Sequence, residues 1–182
     1  TVTVTIAGES YTLTIVQGAA PSSAYVDLSA VQTSNCYLVS GPGNYKFKAT
    51  VAGNGVAPAS QSAMATTFTP AKVAVLWCST NTKDAPADNE ALVSNVFLEN
   101  GYVFFSTTDP AKLTEGNVVI AAYDSSNFII WSWHIWMTEE SSDIQVGATR
   151  WMDRNVGALS PSTYMTTDPL ACGLHFQWGR KD

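Results

Sequence analysis

The residues able to do chemistry are few and scattered. Ser132 and His134 stand two apart in an apolar run, and Asp124 or Asp153 could orient the imidazole. A serine nucleophile needs a base within hydrogen-bond reach and a turn that exposes it. Two positions along one strand separate Cα atoms by about 7 Å, and no G-x-S-x-G elbow surrounds Ser132. The expectation is a core histidine bonded to backbone. Asp84, Asp88 and Glu90 share one loop, but the D-x-[DN]-x-[DN]-G spacing of a calcium loop is absent, so a solvated loop is expected. Cys36, Cys78 and Cys172 lie far apart with no C-x-x-C, which leaves zinc without support. Cys36 and Cys78 would pair only on neighbouring strands; buried free thiols are the expectation. No catalytic residue, metal or cofactor is expected, and the chain is read as non-enzymatic.

The tryptophans admit two readings. Trp131, Trp133 and Ile135 fall on one side of a strand, with Ser132, His134 and Trp136 on the other. One reading makes Trp131, Trp133 and Trp136 an aromatic ligand platform, since sugar rings stack on exposed indoles. The other puts two indoles in the core and the third against residues 151–182. A strand that is apolar on both faces is normally covered on both, which favours the second. Beyond it, Asp153, Arg154 and Asn155, with Trp178 and Arg180, form a structural motif. Arg154 or Arg180 is expected to lock the tail onto the β-domain through a carboxylate.

These positions must be held by strands. Of 182 residues, 46% are hydrophobic and 13% charged, well below the charge of about 25% usual in globular domains. Alternation predicts a hairpin over 1–16, strands at 35–39, 45–51 and 72–78, a hairpin over 91–106 around Asn100-Gly101, and strands at 117–123 and 128–137. No amphipathic helix of normal length appears, and 138–150 reads as a polar connection. The expected fold is an all-β, antiparallel sandwich of immunoglobulin-like kind. It divides into a leading hairpin (1–20), a main domain (21–140) and a mostly irregular C-terminal segment (141–182) packed on it, over the Trp131–Trp136 strand. A net charge of −6 without a basic cluster argues against nucleic acid and anionic membranes. No stretch is long and apolar enough for a bilayer helix.

Several phrases resemble a known family. Asn35-Cys36-Tyr37-Leu38-Val39-Ser40 with Gly43-Asn44-Tyr45-Lys46-Phe47, then Gly116–Ala121 and Ile130–Trp136, resemble a domain of surface proteins from gut anaerobes. Trp151–Ala158 and Gly173–Asp182 resemble the "MDRNLGA…QWGRKDP" motif of fimbrillin-like and major-paralogous-domain (FISUMP-type) lipoproteins. Residues 1–18 resemble the last hairpin of a BACON-type immunoglobulin-like domain. The resemblance implies display at the cell surface or outer membrane and no catalytic activity, so the Cys172 and His175 pair is not expected to act as nucleophile and base. The family continues past the position of Asp182, which suggests a fragment whose signal or anchor lies elsewhere. The functional expectation is a structural or adhesive module, a fimbrial tip or stalk or a lipoprotein component. Its partners would be other fimbrial subunits or surface glycans. The rival expectation is a carbohydrate-binding module of a larger glycan-capture protein.

Overall fold

The computed structural model describes residues 2–6, 9–13, 24–57, 59, 65–80, 92–139, 142–161 and 167–175. A leading hairpin joins β1 (Val2–Ile6) to β2 (Glu9–Leu13), antiparallel with Val2 opposite Leu13. Eight strands then form two four-stranded sheets. They are β3 (Val26–Asp27), β4 (Cys36–Val39), β5 (Asn44–Lys48), β6 (Lys72–Thr80), β7 (Val93–Glu99), β8 (Tyr102–Thr107), β9 (Gly116–Tyr123) and β10 (Ile129–Met137). One sheet runs β4-β10-β9-β6 and the other β3-β5-β8-β7. The fold is an all-β sandwich.

Period-two patterning builds the layer between the sheets. Tyr45 and Phe47 point inward from β5 while Lys46 and Lys48 stay outside. Trp133, Ile135 and Met137 do the same from β10, joined by Val118, Ile120 and Ala122 from β9 and Val103 and Phe105 from β8. Rings bridge the two sheets. Phe47 stacks on Tyr37 at 5.0 Å and meets Trp133 edge-on at 5.0 Å. The Asn100-Gly101 turn closes β7 and β8 with φ of 49° and 78°, the double positive φ that a two-residue hairpin demands.

Two edge pairings depart from the antiparallel expectation. β4 lies parallel to β10, with Cys36 opposite His134, and β3 lies parallel to β5. The cause is connectivity. The short link from β4 to β5 passes from one sheet to the other, so β4 cannot fold back on β5 and completes the edge beside β10 instead. The edges are also blunted. β3 has two residues and β4 four, while β6 and β7 carry register shifts at Val75/Trp77 and Ser94/Phe97.

The polar connection after β10 contains a further hairpin. β11 (Asp143–Val146) pairs with β12 (Thr149–Met152) around Gly147 at φ 61°. Its signal was the alternation of Ile144, Val146 and Trp151 about Gly147, masked by the polarity of the intervening residues. A 3-10 turn, Pro169–Ala171, follows, capped by the Asp168 carboxylate on the Leu170 N–H. Among the described residues no helix is long and apolar enough to cross a membrane, which says nothing of a β-barrel.

Candidate functional site

The outward face of the β4-β10-β9 sheet carries a buried polar cluster. β10 alternates, so Ser132, His134 and Trp136 point away from the core, and all three are buried. The parallel register brings Cys36 beside His134, with Sγ 3.2 Å from Nδ1. The antiparallel partner β9 supplies Asn117, whose Oδ1 lies 2.8 Å from His134 Nε2. Asn117 Nδ2 then donates to the Gly157 carbonyl at 3.0 Å.

Donor rules fix the polarity of this chain. A carbonyl only accepts, so Gly157 is met by the amide Nδ2 and Asn117 turns Oδ1 to the imidazole. His134 therefore donates from Nε2, and its Nδ1 is left to accept the Cys36 thiol proton. The order Cys–His–Asn is the connectivity that some thiol hydrolases use. Burial works against an ion pair here. Burial pushes the Cys36 thiol up to about 11 and holds the His134 imidazole down at about 4. Both shifts disfavour moving the proton from sulfur to imidazole. The Cys36 N–H is also engaged, donating to Ser34 Oγ at 3.2 Å. With the thiol as donor, the relay links the sheet edge to the C-terminal segment.

Neighbouring contacts extend the strut. Trp136 Nε1 donates to the Ala158 carbonyl at 3.1 Å. Gly157 holds φ of 83°, and a side chain there would collide with Leu174. Arg154 donates Nε to Asp153 Oδ1 at 2.8 Å and Nη2 to Oδ2 at 3.0 Å, the fork geometry of a strong charge-assisted pair. Its Nη1 donates to Thr138 Oγ1 at 3.3 Å, and that hydroxyl donates to Glu115 at 3.0 Å. The Arg154 hydrogen bond holds the Asp153 carboxyl below its ordinary range.

No family model, curated protein or solved structure matches this chain.

The expected site residues fall as follows. Trp133 is 1% exposed in the core and Trp136 is 2% exposed beneath Ala158, while Trp131 is half-buried beside Phe68. Of the two readings of these tryptophans, burial of Trp133 and Trp136 agrees with the covered one, with one side of β10 in the core and the other under the C-terminal segment. Asp153 and Arg154 pair with each other, Asn155 accepts the Ala158 N–H through its carbonyl, and Trp178 and Arg180 lie outside the described residues. So do Asp84, Asp88 and Glu90. Asp124 caps its own turn on Ser126 and Phe128 rather than meeting His134. His134 is bonded to side chains, not only to backbone as expected. None of the three cysteines is in a disulfide. Cys36 and Cys78 sit on opposite edges of one sheet, which adjacent strands about 4.8 Å apart put beyond disulfide reach. Cys172 is exposed. Among the described residues, no three His, Cys, Asp or Glu side chains gather as a metal site. Sequence reasoning missed Cys36 and Asn117. Their one signal was a polar residue at an outward position of an apolar strand.

Proposed function

We propose that the chain is a non-enzymatic cell-surface module, structural or adhesive, of the fimbrial or outer-membrane lipoprotein kind. The observation that carries this reading is the strut Cys36–His134–Asn117–Gly157. The most reactive-looking side chains hold a neutral hydrogen-bond chain that ends on the backbone of the C-terminal segment. Side chains used this way build a rigid unit. Short or bulged edge strands favour a spacer or head over a subunit that takes up a neighbour's strand. The motif resemblances at 130–136 and 151–158 support the surface setting. Antibodies raised against this chain should label intact cells of the source organism. Labelling confined to lysed cells, or turnover in a hydrolase screen that is lost in Cys36→Ala, would contradict the proposal.

The carbohydrate-binding reading is favoured by one observation. Trp151 is 61% exposed on β12, beside polar side chains. A second aromatic strip, on the outer face of the β3-β5-β8-β7 sheet, fits less well. Phe97 and Phe104 stack on each other at 4.9 Å, Tyr25 meets Phe104 edge-on, and Lys46 covers Tyr102. Those ring faces are engaged with one another.

A further inference from the structure

Hairpin β11–β12 and the turns after it frame a cavity of about 650 Å3, lined by Arg150, Trp151, Asp153, Arg154, Asn155 and Ser160 among others. Volumes of about 300–1,000 Å3 suit small ligands. Two features of the lining point to an occupant. The exposed Trp151 indole has no ring stacked on it among the described residues. It is a flat apolar surface left open next to hydrogen-bonding groups.

Arg154 is the second. Its side chain is 7% exposed. A guanidinium carries five N–H groups. Arg154 uses one on Nε and one on Nη2 for Asp153 and one on Nη1 for Thr138. One N–H on each terminal nitrogen remains. Two adjacent ligand oxygens would meet both.

We infer that this cavity binds a saccharide. The C–H face of a pyranose ring lies against Trp151, and two neighbouring hydroxyl or carboxylate oxygens accept from Arg154. The inference rests on the adhesive reading and names its ligand class.

The test is a glycan array probed with the full chain, carrying neutral and carboxylated sugars. Trp151→Ala and Trp151→Phe are probed beside it, and thermal unfolding confirms that each variant folds. Trp151 is exposed, so its replacement should leave the melting temperature unchanged. The expected result is binding to at least one class, weakened about tenfold or more in Trp151→Ala and partly restored in Trp151→Phe. Preference for carboxylated sugars would assign the oxygens to a carboxylate, and preference for neutral sugars to a diol. Unaltered binding by Trp151→Ala overturns the site and leaves adhesion in place elsewhere. A wild-type chain that binds no glycan overturns the site and the adhesive half of the proposal, leaving the structural half.

Discussion

Acidification should loosen this protein through one buried imidazole. Burial holds His134 at about 4 in the folded chain against an ordinary value of 6.5. The folded state therefore binds fewer protons than the unfolded state between those values. The stability is present above 6.5 and is lost as pH falls toward 4. The full linkage is about 3 kcal/mol, of which about 2 kcal/mol disappears between about pH 7.5 and about pH 5. Burial is the cause, and the local geometry acts in the same direction. A second proton on His134 would turn Nδ1 into a donor facing Cys36 Sγ at 3.2 Å, replacing a thiol donor with a weak acceptor. Urea unfolding followed by tryptophan fluorescence, repeated across this range, measures the loss directly. His134→Gln should be less stable at neutral pH and nearly flat over the same window. The reasoning is refuted if the wild-type chain keeps its stability down to pH 5, or if His134→Gln loses as much. Asp153 acts lower. Its depressed carboxyl contributes stability that is lost only as pH falls through its folded value, so the two groups separate on the pH axis.

Three further outcomes follow from single contacts. Trp136→Phe keeps most of the packing but loses the bond to Ala158, and should cost about 1 kcal/mol in chemical unfolding. Arg154→Ala leaves the Asp153 carboxylate without its fork and should cost about 2 kcal/mol or more, read as a lower melting temperature. With limiting iodoacetamide at neutral pH, the exposed Cys172 should be alkylated well before Cys36, whose thiol is raised to about 11. Peptide mapping that finds Cys36 modified first would contradict the neutral relay.

The sandwich was legible because its signals are local. Alternation at Tyr45–Lys48 places two rings inside and two lysines outside, and Asn100-Gly101 marks a hairpin by its demand for positive φ. The second role of β10 was legible too, since apolar residues on both faces of one strand imply cover on both. The relay was not legible, because it depends on pairing. Cys36 and His134 are far apart in sequence and meet only because β4 runs parallel to β10 in one register. Nothing in either strand encodes that choice; it follows from β4 handing the chain to the opposite sheet. A one-residue slip would have turned Cys36 into the core. Hairpin β11–β12 escaped for a different reason. Its apolar residues Ile144, Val146, Trp151 and Met152 are all exposed, so no buried face disciplines the pattern.

Asn117 and Trp136 fix the C-terminal segment to the sheet. Hydrogen–deuterium exchange on the full chain measures this docking. The amides of Ala158, Leu159 and Leu174 donate to Asn155, Leu170 and Val156 within the segment. They should be protected in the wild-type chain. Asn117→Ala should speed their exchange while the β8 and β9 amides stay slow. Fast exchange across 155–174 in the wild-type chain, or no change in Asn117→Ala, would contradict the docking account.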